Sequence, residues 1–407
     1  MRTIDEHLAE VLALATPRTQ SLLLVDATGH ALASPAHARF AVPPFDNAAM
    51  DGFAVRASDL EGDLVGDGPW TLPVAGDIPA GADPVDCPQG HVVRIMTGAP
   101  IPAGIDDLIV IPVEQTNIER GPVELPKQVT INAADTKRGH IRRAGSDTPV
   151  GAVVADVGTV IDAPTLAALV STGVREVEVY ALPRVAVITT GDELVSWPEP
   201  ITGAQIPNSN APLLAQIARD AGAAEVTELH ASDGAEDFAH TLNHAAKTHD
   251  IVVTAGGVSA GAFDVVRHVA KHNGSMWFGH VAQRPGGPQG VGVSADAPLV
   301  CLPGNPVAAF VSAHMYLVPL IRAFAGNTRP RPQVRAFTAE GFPQPHPKVT
   351  RVVPVRLDYS GAEPVAHAFS QHVGSHMVAS LTGIDGIAHL TPGDETPKHV
   401  HVMLTTL

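Results

Sequence analysis

The chain has 407 residues, of which 45 % are hydrophobic and 17 % charged, a balance that excludes a disordered chain and leaves ample material for two to four domains. Its formal net charge of −16, with no long run of Lys and Arg, argues against a nucleic-acid partner. Two cysteines, Cys87 and Cys301, are too few and too far apart for a disulfide framework or a Cys-x-x-Cys zinc site.

The start, "MRTIDEHLAEVLALATP", carries acids and places Ile4, Leu8, Val11 and Leu12 at spacings of three and four, so residues 1–16 read as an amphipathic helix and not as a signal peptide. No apolar run is expected to reach the roughly 18 residues of a membrane span, and the expected location is the cytoplasm. The segment "PPFDNAAMDGFAV" (43–55) has neither strand alternation nor a helical stripe. Asp, Asn and Gly favour turns, so a plain turn is the bland reading. Two carboxylates on so small-residued a segment leave a ligand-facing loop open beside it. From about 46 to 140 short β-type runs such as "VVRIMTGAPIPAG" and "DDLIVIPVEQT" are broken by Gly and Pro, which predicts a β-rich domain inserted into another. "APTLAALVSTGV" (163–174) predicts a helix ending at Gly173.

From Pro183 buried strands alternate with helices. "RVAVITTGDEL" runs from strand into loop, and "APLLAQIARDAGA" is a helix. "DIVVTAGGVSAG" precedes the helix "FDVVRHVAKH", and "PLVCLPGNP" precedes "VAAFVSAHMYLVPLIRAFAG". This grammar predicts βαβ units and a doubly wound, mostly parallel sheet. The proline-broken 327–335 segment reads as a linker. The strand runs "RVVPVRLDY", "PVAHAF" and "HVHVMLTTL" then make residues 330–407 a small β domain, with "HVHV" (399–402) as a solvent-facing strand edge. None of the 20 histidines has a spacing that assigns it to a metal.

Ligands of open α/β sheets bind beyond the carboxyl ends of the strands. Three loops fall there: 189–194, 254–264 and 302–306. Gly256 and Gly257 permit close backbone approach, the following helix start offers free N–H groups to an anion, and Ser259 adds a hydroxyl. Asp192, Glu193 and Asp264 beside such a site call for a hard cation between carboxylate and phosphate, the role Mg²⁺ fills. Simpler readings stand alongside: Asp264 as a helix N-cap and Glu193 as a solvated surface acid. In "VAQRPGGPQGVGV", Arg284 is either a bidentate anion clamp or an ordinary turn arginine.

Together these segments resemble the MoeA family, the molybdopterin molybdenumtransferases that include the E domain of gephyrin. The matching stretches are "PPFDNAAMDGFAV", "VVRIMTGAPIPAGIDDLIVIPVEQT", "IRRAGSD", "RVAVITTGDEL", "IPNSNAPLL", "DIVVTAGGVSAGAFDVV", "LPGNPVAAFV" and "HVGSHMVASL", in the family's order along nearly the whole chain. The resemblance implies an α/β plus β multidomain chain. An N-terminal, linking α+β domain covers 1–45 with 141–181, and a β-rich inserted domain covers 46–140. A molybdopterin-binding α/β domain (182–328) and a C-terminal β-barrel domain (329–407) follow.

It further implies insertion of molybdate into adenylylated molybdopterin with Mg²⁺, releasing AMP, in a homodimer whose cleft lies between the α/β domain of one subunit and the β-rich insertion of the other. A molybdopterin adenylyltransferase is an implied partner. The carry-over marks Asp51, Thr97, Asp147, Glu193, Asp233 and Asp264 as catalytic, with Asp51, Glu193 and Asp264 on the metal. It marks Arg284, Arg351 and Ser375 as binding the pterin substrate, and the strand-end loops read above add Gly256, Gly257, Ser259, Gly261, Pro303, Gly304 and Asn305. One departure stands out. Where the family commonly has two lysines in a "KPGKP" turn, this chain has Arg284 and Gly287, so the second cation is absent. Two neighbouring readings are adenylylation of molybdopterin and a non-catalytic molybdopterin-binding scaffold.

Overall fold

The computed structural model describes residues 1–60, 68–135, 139–258, 265–369 and 377–406. They form two compact units: Pro35–Asp156 with Asp162–Val177, and Met1–Ser34 with Val157–Ile161 and Glu178–Leu407.

The first unit is organised by a five-stranded sheet in the order Leu108–Pro112, Gly52–Arg56, Val92–Ile95, Trp70–Ile78, Gln128–Ile131. Period-two alternation sends Phe53, Val55, Ile109 and Ile111 to one face and Ala54, Leu108 and Val110 to the other. Both faces are buried, so these strands read as continuous apolar runs. Gly52 has no side chain for a reason. A Cβ there would lie 1.9 Å from the Ile111 carbonyl oxygen of the neighbouring strand. The helix Ala163–Ser171 starts on an Asp162 cap that accepts from the Thr165 N–H, and Gly173 follows it with φ +77°.

The second unit contains a six-stranded sheet in the order Glu225–Ala231, Arg184–Thr190, Ile251–Ala255, Ala297–Leu302, Pro288–Ser294, Gly274–His280. The first four strands are parallel, as the βαβ grammar requires, and the last two are antiparallel. Val185 and Val187 face the helices Asn210–Asp220 and Pro306–Phe324, while Ala186 and Ile188 face Ala235–Thr248 and Val265–His272. Both faces are therefore covered. Glycines recur in the antiparallel pair because the backbones nearly touch. A Cβ on Gly274 would lie 2.1 Å from the Val293 oxygen, and one on Gly292 would lie 2.1 Å from the Ser275 oxygen.

Five further strands of this unit close a barrel. Its circuit is Thr350–Asp358, Val365–Ala368, Gln333–Thr338, His399–Leu404, Gly386–Leu390, and back to Thr350–Asp358. Val353, Val355, Ala366, Ala388, Val400 and Val402 point inward and fill it.

Four expectations are corrected. The N-terminal helix ends at Leu12, followed by a turn through Leu14 and Ala15. "HVHV" is no edge: closure of the barrel places its strand between two others, with Val400 and Val402 buried. The 327–335 segment already contains the start of the strand Gln333–Thr338, and Arg331 donates to the carbonyls of His314 and Leu404. Finally, the helix Pro306–Phe324 is long and apolar enough to cross a membrane by length and composition, but 89 % of its apolar window is buried inside the protein. It is the core helix against which the sheet packs.

Candidate functional site

In the β-rich unit, the 43–55 segment is held from several sides. Asp46 accepts from the Ala144 N–H at 2.8 Å and from Arg143, which hold its carboxyl below the usual carboxylate range. Asn47 is buried and donates to the Phe45 carbonyl. The Ala48 and Gly98 backbones bond to each other's loops, and the Val113 N–H donates to the Asp51 carbonyl. This scaffold presents the Asp51 side chain to Thr97. One Asp51 oxygen, Oδ1, accepts from the Thr97 backbone N–H and from its hydroxyl, both at 2.7 Å. These bonds, the N–H first, depress the Asp51 pKa, so the residue is a carboxylate at neutral pH. The second oxygen, Oδ2, has no protein partner among the described residues and is free to take a ligand.

Asp51 and Thr97 line a cleft of about 300 Å³ whose other walls include Met50, Phe53, Met96 and Ile118. Arg94 also borders it, but its guanidinium is committed to Asp77 and to the Val123 carbonyl. Asp147 sits elsewhere in this unit, exposed, on a turn whose N–H groups hold Val42 and Pro43.

In the α/β unit the described parts of the three strand-end loops share one edge. Thr190 pairs with Ala231, so Asp192 and Asp233 lie equally far beyond their parallel strands. They meet there: the Asp192 N–H donates to Asp233 at 3.3 Å, and the Asp233 N–H donates to Asp192 at 3.2 Å. Glu193 is exposed and its carboxylate folds over Gly191, where a Cβ would lie 2.6 Å from Oε2. The next loops touch directly. The Gly256 N–H donates to the Leu302 carbonyl, and a Cβ on Gly304 would stand 3.2 Å from the Gly256 Cα. Gly256 and Gly257 both have positive φ, +102° and +65°, a conformation that Gly adopts without strain. Pro303 is buried, while Gly304 and Asn305 are exposed at the start of the core helix.

The Arg284 turn comes to the same edge. Gly290 pairs with Cys301, and in the same antiparallel register Pro288 falls level with Pro303. Arg284 is in turn the strand partner of Arg351, on the short parallel pair that joins this turn to the barrel. Burial first, and then the Arg284 charge, lower the Arg351 pKa. Neither guanidinium has an ion pair among the described residues, although Arg351 donates to the Gln344 carbonyl at 2.6 Å.

Ser259, Gly261, Asp264 and Ser375 lie outside the described residues. Among the described residues no group of three or more His, Cys, Asp or Glu side chains is placed to hold a metal ion. Asp51 and Glu193 belong to different units. One contributor escaped the residue-by-residue reading. Asn210 donates to the Gly304 carbonyl at 2.7 Å, fixing the LPGNP loop, while its Oδ1 is buried without a partner among the described residues. An Asn at the first turn of a helix reads as a cap, and that ordinary role hides this one.

Residues 2–173 match the MoeA N-terminal region (domain I and II), and residues 186–323 match a probable molybdopterin binding domain. The chain is 40 % identical over 359 residues to molybdopterin molybdenumtransferase 2 of Mycobacterium tuberculosis, covering 86 % of each protein. The chain belongs to the MoeA family of molybdopterin molybdenumtransferases. A second relative, the molybdopterin molybdenumtransferase of Staphylococcus aureus, is 32 % identical over 356 residues, covering 86 % of this chain and 83 % of that one. The molybdopterin biosynthesis MoeA protein of Pyrococcus horikoshii superposes with a TM-score of 0.79 at 26 % identity, covering 99 % of this chain and 98 % of that structure. A second MoeA structure, from Pyrococcus horikoshii OT3, matches in fold with a TM-score of 0.82 at 23 % identity, covering 99 % of this chain and all of the other. The MoeA-like multidomain fold, with its α/β sheet domain and closed five-stranded barrel, is the one described above. The chain is thus an enzyme of molybdenum cofactor biosynthesis.

Proposed function

We propose that the chain inserts molybdate into adenylylated molybdopterin and releases AMP and the finished cofactor. The observation that carries this is the meeting of three loops and the Arg284 turn at one sheet edge. There, Gly256 and Gly304 nearly touch, and Arg284 and Arg351 offer two cations without ion pairs among the described residues. Glycine backbones admit the phosphate end of the substrate closely, and the guanidiniums take its oxygens bidentately. Adenylylation of molybdopterin and a purely structural scaffold have no comparable support, because the relatives matched over most of the chain are named molybdenumtransferases.

The donor set suits Mg²⁺. Asp51 keeps a free oxygen beside its Thr97 bonds and Glu193 is exposed, and Mg²⁺ takes one or two carboxylates and completes its shell with water and substrate oxygens. Asp51, Glu193 and Asp264 would hold it, and it would offset the repulsion between these acids and the incoming oxyanion. In this reading Thr97 orients Asp51, Asp192 and Asp233 brace each other's loops, and Asp147 and Ser375 complete the reaction site. The chain works in the cytoplasm as a homodimer, in which the β-rich unit of one subunit faces the α/β edge of the other. It receives its substrate from a molybdopterin adenylyltransferase. The four domains proposed from the sequence, 1–45 with 141–181, 46–140, 182–328 and 329–407, serve this arrangement.

The test is a metal titration of turnover at fixed molybdate. Activity is expected to require Mg²⁺ in the millimolar range, with Mn²⁺ substituting, because carboxylate-and-water sites hold such ions loosely. Full activity in excess chelator contradicts the metal assignment.

A further inference from the structure

Beneath the Arg284 turn lies a buried polar network that the account above does not use. Gln283 and Gln289 flank the turn and are 3 % and 0 % exposed. Gln283 Nε2 donates to the Pro285 carbonyl at 3.1 Å and to Ser312 Oγ at 3.4 Å. Gln289 Nε2 donates to the Gly286 carbonyl at 2.8 Å and to Ser312 Oγ at 2.7 Å. The Tyr316 hydroxyl donates to Gln283 Oε1, and Ser312 and Tyr316 are both fully buried on the core helix. Carbonyl oxygens only accept, so the amide orientations are set by their partners. Burying two amides is costly, the more so because Gln289 Oε1 has no partner among the described residues. An apolar floor would fill the space at less cost.

The geometry of the turn shows what the amides accomplish. In a trans peptide the C=O of one residue and the N–H of the next point in opposite directions. Pro285–Gly286 and Gly286–Gly287 are trans peptides. With the Pro285 and Gly286 carbonyls drawn down onto the glutamines, the N–H groups of Gly286 and Gly287 point up, away from the core. The Gly287 carbonyl is taken by the Val281 N–H at 2.7 Å, and neither outward N–H has a partner among the described residues. Gly286 adopts φ +85°, and a Cβ there would strike Ser312 Oγ at 2.7 Å and Gln283 Nε2 at 2.9 Å. Successive outward N–H groups of this kind form an anion-binding concavity. Arg284 stands on the same turn with Arg351 as its strand partner.

We infer that Gln283 and Gln289 are positioning residues that turn the Gly286 and Gly287 N–H groups toward an oxyanion beside Arg284, so that backbone donors serve where Gly287 has no side-chain cation. This rests on the proposed reading of the turn as an anion site. Gly287 itself has room for a side chain: a Cβ would meet nothing closer than 3.5 Å, and its φ is not left-handed.

Calorimetric titration of the purified chain with inorganic molybdate, and separately with inorganic phosphate, tests the inference without needing turnover. Gln289→Met is expected to weaken anion binding at least tenfold while Arg284 remains. Gly287→Lys in the Gln289→Met background is expected to restore it, since a side-chain cation then replaces the misaimed N–H groups. A merely structural amide would lower the melting temperature without being rescued in this way. Ser312→Ala removes the one oxygen that both amides share and is the second variant should Gln289→Met fail to fold; it is expected to weaken binding severalfold. If Arg284→Ala weakens binding but Gln289→Met and Ser312→Ala do not, the positioning role falls and the anion site stands. If Arg284→Ala changes nothing, the anion site and this inference fall together.

Discussion

Replacing Asp51 by Asn is expected to lower molybdenum insertion a hundredfold or more, about 2.7 kcal/mol of lost transition-state stabilisation, with little change in folding. The amide oxygen of Asn can still accept from the Thr97 N–H and hydroxyl, so the 43–55 segment keeps its anchor. What disappears is the charge on the free oxygen. Those same Thr97 bonds depress the Asp51 pKa, which keeps the wild-type group ionised through neutral and mildly acidic pH. The comparison is turnover and thermal midpoint for the two proteins under one condition. Unchanged turnover would return Asp51 to a turn former, and a large fall in the midpoint would make it a structural anchor.

The second large effect is acid destabilisation of the unit that carries the sheet edge. His7 is fully buried between the rings of Trp277 and Tyr316, with neither ring nitrogen bonded among the described residues. Burial first, and then the Arg2 charge, hold its pKa down to about 4. Burial and then Arg331 hold His314 down to about 3. An unfolded histidine titrates near 6.5, so between that pH and 4 the unfolded chain binds protons that the folded chain refuses. Stability is therefore fully present above pH 6.5 and is lost as pH falls. The loss is about 2 kcal/mol per histidine at pH 5. Denaturant unfolding of wild type and His7→Leu at pH 7 and pH 5 checks this. The wild type is expected to lose more stability than the variant over that interval. Equal losses would show that His7 does not titrate on unfolding.

Much of this was legible in the sequence, for reasons that can be located. The strands Arg184–Thr190, Ile251–Ala255 and Ala297–Leu302 are buried on both faces, so each is a mostly apolar run followed directly by Gly or Pro. Their carboxyl-end loops could be found before any topology was known. The antiparallel strands Gly274–His280 and Pro288–Ser294 were hidden because close backbone approach requires glycine, and glycine argues locally against a strand. The barrel strand Gly386–Leu390 escaped in the same way, since a Cβ on Gly386 would lie 2.4 Å from Val402 Cγ1. Arg331 looked like part of a linker because its partners, the carbonyls of His314 and Leu404, lie 17 and 73 residues away. Nothing in the local sequence marks Gln283 and Gln289 as inward-facing. Only the position of Ser312 and Tyr316 on the buried helix reveals that they face inward.

The central claim is that this chain completes the molybdenum cofactor from an adenylylated precursor. The most direct measurement incubates the purified protein with adenylylated molybdopterin, Mg²⁺ and low molybdate, and follows AMP and metal-loaded cofactor together. Both are expected to appear at matching rates, neither without molybdate, and Asp51→Asn is expected to slow both a hundredfold or more. Release of AMP with no molybdenum in the pterin product, or no reaction while the protein still binds the precursor, would contradict the claim.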